Sequence, residues 1–135
     1  LKVVIELPGQ PRGKGRPRFG HGHIYTDAQT TAYERSLAWQ GAISMKGADV
    51  FTGPLRVTVS AFFEIPKSFS KEQYRRALIA LDRPGKPDAD NILKMVDGLN
   101  GIVWVDDAQL ADVRIVKAYA ATPLLRIEVE ELNSD

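Results

Sequence analysis

Cysteine is absent from this chain, and histidine occurs only twice, at His21 and His23. The missing cysteine excludes a disulfide-stapled scaffold, a thiol nucleophile and any thiolate zinc site, and leaves oxygen or imidazole to ligate any metal. Long apolar runs are missing as well. No stretch approaches the ~20 apolar residues of a membrane span, and Leu1-Lys2-Val3-Val4-Ile5-Glu6 is too short and too soon charged for a secretion signal. The expectation is a cytoplasmic protein that does not engage membranes. With 11 Gly and 8 Pro in 135 residues and 44% of the chain hydrophobic, the composition fits neither a disordered tail nor a fibre. It fits one globular domain spanning residues 1–135.

Charge of one sign is scarce in each part of the chain. Residues 1–86 carry 14 Lys/Arg against 7 Asp/Glu, and residues 87–135 carry 4 against 10, so a net charge of +1 conceals a +7 part and a −6 part. In the basic part, Arg12, Lys14, Arg16 and Arg18 alternate with Gly13, Gly15 and Pro17. Neither helix nor buried strand favours that spacing, so it reads as an exposed loop whose cations can neutralise successive phosphates. His21 and His23, two residues apart in a Gly-rich stretch, do not define a metal geometry.

Lys2 to Leu7 reads as a first strand ending at Pro8-Gly9. Thr26-Asp27-Ala28-Gln29 has the spacing of a capping box, predicting a helix to about Lys46 whose stripe of Ala32, Trp39 and Ile43, with Tyr33 and Leu37 alongside, faces a sheet; Trp39 is assigned to the core. Leu55 to Ile65 alternates as a half-buried strand in which Phe62 breaks the polar face. Ser70-Lys71-Glu72-Gln73 is a second capping box, opening a short helix with Tyr74, Ala77 and Leu78 on its apolar side. Val113 to Val116 and Leu125 to Glu130 read as two strands joined as a hairpin. The order β-α-β-α-α-β-β predicts an α+β fold, helices packed on a mixed sheet.

The chemistry lies in Lys86-Pro87-Asp88-Ala89-Asp90-Asn91-Ile92-Leu93-Lys94-Met95-Val96-Asp97-Gly98-Leu99. Ile92, Met95, Val96 and Leu99 line one side of a helix that begins near Asp88 or Asp90. Asp90 and Lys94 then stand one turn apart on one face. Aspartates at a helix start are common caps, so Asp-x-Asp alone says little. A second pair, Asp106-Asp107 after Trp104, changes that. If the helix and that turn fold back on each other, three or four carboxylates meet, and their repulsion calls for a divalent cation, with Mg²⁺ or Mn²⁺ suited to oxygen-only ligands and phosphate. An EF-hand fails because Leu93 would stand at its obligatory glycine, and no phosphate-binding Gly-rich loop, Ser-His-Asp order or dinucleotide fingerprint is present.

Lys86-Pro87-Asp88-x-Asp90-Asn91-x-x-Lys94, Asp97-Gly98-Leu99-Asn100 and Trp104-x-Asp106-Asp107-x-Gln109, with Lys14-Gly15-Arg16-Pro17-Arg18 and Tyr25-Thr26 upstream, resemble the RusA-type Holliday-junction resolvases. The resemblance covers most of the chain. It implies a homodimeric, Mg²⁺-dependent endodeoxyribonuclease that makes paired symmetric nicks in four-way DNA junctions in recombination and repair. It further implies Asp88, Asp90 and Asp107 as metal ligands and Lys94 as the essential lysine, with Asp106 and Asp97 unassigned. Arg12, Lys14, Arg16, Arg18 and Lys86 are taken as DNA-binding residues, mainly on charge. Two rivals stay open: a nuclease of the same fold for flaps or forks, and a branched-DNA-binding protein whose aspartates only cap helices.

Overall fold

The computed structural model describes residues 2–15, 18–80 and 82–132; Arg16 and Pro17 of the basic segment lie outside them, as does the side chain of Arg18. A four-stranded mixed sheet has the order β1-β6-β4-β5, formed by β1 (Lys2–Pro8), β4 (Leu55–Glu64), β5 (Leu110–Ala120) and β6 (Leu124–Glu131). β6 runs antiparallel to both β1 and β4, whereas β4 and β5 are parallel. Period-two alternation in β4 buries Leu55, Val57, Val59, Ala61 and Phe63 on one face, where Ile5, Leu125, Ile127 and Val129 continue the layer. Helices packed on this mixed sheet give the expected α+β class.

The two final strands do not form the expected hairpin. β4 lies between them and pairs with both, so the link over residues 121–123 must cross two strand spacings, roughly 9.5 Å. Three residues reach that far. A second departure is a separate two-stranded sheet, β2 (Arg18–Gly20) with β3 (His23–Tyr25), where the basic stretch read as loop.

Helix α1 (Ala28–Met45) is capped by Asp27 rather than by a Thr26–Gln29 box: the Asp27 carboxylate accepts from Thr30 N at 2.7 Å and from Thr30 Oγ1 at 3.0 Å. Its buried stripe is Thr30, Leu37, Gly41 and Met45, and Trp39 lies outside the core at 68% exposure. Apolar residues occur on both faces of α1, so spacing alone did not single out the face that packs. Small size decides it. A Cβ on Gly41 would stand 2.7 Å from Leu99 Cδ2, and one on Gly98 would stand 3.2 Å from the Glu34 carbonyl, so these glycines let α1 approach the segment that follows α3.

Helix α2 (Lys71–Leu78) starts at the Ser70–Gln73 box as expected, with both reciprocal bonds formed. Helix α3 (Ala89–Met95) continues into a 3₁₀ turn over Val96–Leu99, and Ile92, Met95, Val96 and Leu99 are buried together. Everything from Ile65 to Gln109 forms the crossover that a parallel β4–β5 pair requires, and it carries the whole acidic cluster.

The Tyr33 hydroxyl is buried without a hydrogen bond of normal geometry; burial pushes it up to about 12, and the Arg12 main chain only partly offsets this. Tyr33→Phe is therefore expected to leave the thermal midpoint unchanged or raise it, since it removes an unpaired polar atom. Gly41→Val should destabilise the fold by about 1–3 kcal/mol through overpacking against Leu99. Urea unfolding of both variants checks the pair, and a stable Gly41→Val protein would show that α1 can stand off.

Candidate functional site

Trp104 organises the acidic region. Its side chain is fully buried, and its indole Nε1 donates to Asn100 Oδ1 at 2.6 Å while Gly101 N donates to Trp104 O at 2.6 Å. Gly101 reverses the chain at φ +79°, which favours glycine. The segment after α3 is thus folded back, and Asp107 arrives beside Asp97. Gln109 then fastens the turn with its full side-chain complement: Oε1 accepts from Val105 N and Asp106 N at 2.8 and 3.0 Å, and Nε2 donates to the Phe51 and Gly53 carbonyls at 2.9 and 3.0 Å. Gln109 was legible only as part of a motif, not as this four-way tie.

Asp88 is the N-cap residue of α3, yet its carboxylate does not cap a backbone amide. It accepts instead from Lys86 Nζ at 2.9 Å, and that hydrogen bond, with the Lys86 charge, holds its carboxyl below the ordinary aspartate range; Lys117 adds to the effect. Lys117 reaches from β5 to donate to the Gly85 carbonyl, bracing the turn that presents Asp88. Asp90, Lys94 and Asp97 follow on one helical face, with Lys94 Nζ 3.7 Å from Asp90 Oδ2.

Two neighbouring depressions share that face. One, of ≈ 330 Å³, is bordered by Lys14, Gly15, Asp88, Asp90, Asn91, Lys94 and Asp97. In the other, of ≈ 370 Å³, Asp107 joins Asp90, Lys94 and Asp97 above apolar Leu93, Val96, Leu110 and Val113. The two depressions therefore share Asp90, Lys94 and Asp97, with Asp88 bordering one and Asp107 the other. Among the described residues, no three carboxylate or imidazole side chains stand together as a ready metal cage. The donor chemistry nevertheless suits a hard cation. Partial desolvation, then the negative charges of Asp106 and Asp97 beside it, push the Asp107 carboxyl above the usual range, which marks crowded and uncompensated anions.

The basic segment is joined to this border. Lys14 N donates to Asn91 O at 2.8 Å, and Lys14 Nζ lies 3.4 Å from Glu34 Oε2. Gly13 permits the contact, because a Cβ there would meet Pro87 Cβ at 2.7 Å. Arg12 is exposed and donates to Gln29 Oε1, and Lys86 is exposed beside Asp88. His21 and His23 lie in the hairpin, and neither borders these depressions. Asp97, Asn91 and Lys117 are additions to the sequence-based set. Asp97 had a signal in its seven-residue offset from Asp90; Lys117 had none, because only the sheet brings it to Gly85.

The profile of the family described as Endodeoxyribonuclease RusA matches residues 8–130 of this chain. The chain is also similar to Uncharacterized protein YqaN of Bacillus subtilis (strain 168), at 31% identity over 140 aligned positions that cover 98% of each chain. Among the described residues, no helix is long and apolar enough to cross a membrane.

Because the folded state raises the Asp107 pKa, its ionisation opposes folding: stability falls as pH rises through the unfolded aspartate value, about 3.9, towards the folded one, and the deficit persists above it. Asp107→Asn is expected to melt higher than the parent at pH 7 without divalent ions, the gap closing below about pH 4. Thermal melts across that range decide it; an unchanged or lower melting point at pH 7 would show that the three carboxylates do not strain the fold.

Proposed function

The chain belongs to the RusA endodeoxyribonuclease family, and on that premise we propose that it is a divalent-metal-dependent endonuclease cutting four-way DNA junctions, two copies making symmetric nicks. The observation that carries the reading is the pair of adjoining depressions that share Asp90, Lys94 and Asp97, with Asp88 and Lys14 bordering one and Asp107 the other. Helix capping does not account for Asp88, whose carboxylate caps no amide. Asp88, Asp90 and Asp107 are the residues that would hold Mg²⁺, or Mn²⁺ in its place, with Asp97 a further oxygen donor. When bound, such an ion polarises a scissile phosphate and lowers the pKa of an attacking water.

The residues of the chain supply the rest. A polyanion meets a row of carboxylates here, and Lys14, Lys86 and Lys94 offset that repulsion. Among the described residues, each of these lysines pairs with a single carboxylate. The Lys94–Asp90 pair is largely exposed, and exposed pairs contribute only about 0–1 kcal/mol, so Lys94 can exchange its partner for a phosphate oxygen at little cost. In that position it stabilises charge that grows on the phosphate as the bond breaks. Lys117 and Gln109 act through others: one braces the turn before Asp88, the other the turn carrying Asp107. Two-fold symmetry of a four-way junction is matched by a two-fold pair of subunits.

Cleavage of a synthetic four-way junction, with duplex, flap and fork controls, tests the reading. With Mg²⁺, nicks are expected at symmetric positions in the junction and are lost in EDTA. Asp90→Asn should cut about 10²–10³-fold more slowly, in line with the loss of one transition-state-stabilising group, while binding the junction as well as the parent or better, because one repelling charge is gone. Nicking that survives EDTA, or equal cutting of plain duplex, would overturn the assignment; faster cutting of flaps or forks would move it to those substrates.

A further inference from the structure

The β2–β3 hairpin is built in a way its own stability does not explain. Its two-residue turn, His21-Gly22, has positive φ at both positions, 52° and 77°, the twist that suits a tight hairpin. Phe19 and Ile24 stand directly opposite each other in the register and are 77% and 72% exposed. The opposite face is closed differently. Tyr25 lies over Gly20, where a Cβ would come within 3.1 Å of its ring, and His23 and Tyr25 keep their ring centroids 6.0 Å apart. One face of the hairpin therefore presents an apolar pair to solvent, although an isolated two-stranded hairpin gains little by doing so.

Place and charge say what covers that pair. The hairpin follows the border in sequence: Lys14 and Gly15 line the border, Arg18 opens β2, and a Cβ on Gly15 would lie 3.3 Å from the Asp27 carboxylate that caps α1, just beyond β3. Between Leu7 and Tyr33 the sequence has four Arg/Lys and one acid, Asp27, which serves that cap. A partner for such an element is anionic along its backbone and offers flat apolar surface to Phe19. Unpaired nucleobases of DNA meet both conditions, since any base can stack on an aromatic ring and an apolar wedge can part a base step.

We propose that the Phe19/Ile24 face of this hairpin inserts at the branch point of the junction and holds bases unstacked there, positioning the adjoining strand over the carboxylate border. The inference rests on the junction-endonuclease reading and assigns the hairpin the selection of branched over continuous DNA. Phe19 and Ile24 are positioning residues; neither takes part in bond breaking.

The test uses a four-way junction carrying 2-aminopurine beside the branch point, and a second junction with two unpaired bases built in there. Binding of the parent protein should raise 2-aminopurine fluorescence, a readout that needs no cleavage. Phe19→Ala and Ile24→Ser should abolish the rise and slow cutting of the paired junction about tenfold or more, whereas the loss on the pre-opened junction should be threefold or less, and Phe19→Trp should restore the signal. Both positions are exposed, so these variants are expected to fold, which circular dichroism confirms. If the parent cuts the paired junction and both variants cut it equally well, or if fluorescence does not change on binding, the hairpin assignment falls while the nuclease reading stands. A parent protein that raises fluorescence but nicks no branched DNA supports the hairpin's contact with bases and overturns the nuclease reading instead.

Discussion

The acidic border depends on one partly buried hydrogen bond, from the Trp104 indole to the Asn100 side chain, made across the chain reversal at Gly101. An indole N–H removed from water needs an acceptor, and Asn100 supplies it from the segment that follows α3. Pinning those residues together returns the chain over its own helix. Asp107 is thereby set beside Asp97, at a place where like charges crowd. The fold holds that crowding because Trp104 is anchored in the core, packed with Leu99 and Val103, and Gln109 ties the same turn to the carbonyls of Phe51 and Gly53. Packing and hydrogen bonding outweigh repulsion between exposed carboxylates, which water already screens.

The parallel pairing of β4 with β5 is the second constraint. Parallel strands cannot be joined by a tight turn, so a long crossover is obligatory, and here that crossover bears Asp88, Asp90, Lys94, Asp97 and Asp107. Its counterpart is the basic segment, which comes from the other end of the chain and meets α3 through the Lys14–Asn91 bond. Gly13 makes that approach possible because it has no side chain to strike Pro87. The division of charge along the sequence thus becomes a juxtaposition in space, cations beside carboxylates at one border.

Much of the architecture is legible from spacing. β4 shows its alternation, α2 its reciprocal cap, and α3 its buried Ile92, Met95, Val96 and Leu99, because each is decided by neighbours a few residues away. The misreadings share a cause. Spacing assigns Trp39 to the core because α1 has apolar residues on two faces, and the choice between them rests on Gly41 meeting Leu99, a contact between distant residues. The last two strands looked like a hairpin because three residues separate them, while the insertion of β4 is a matter of pairing across the sheet. The β2–β3 hairpin was concealed by its Arg and Gly content, which resembles loop.

Residue types and local offsets determined that this chain has no thiol, a helix presenting Asp90 and Lys94 on one face, a second acidic pair after a tryptophan, and a family pattern spanning most of its length. Those are properties of composition and of separations within one or two helical turns. Tertiary structure alone decided which carboxylate meets which: Asp107 lies against Asp97, Asp88 pairs with Lys86, Lys117 comes from a sheet strand to brace the turn before Asp88, and Trp39 remains outside. Such contacts join residues far apart in the chain, and their outcome depends on the shape of everything packed between them.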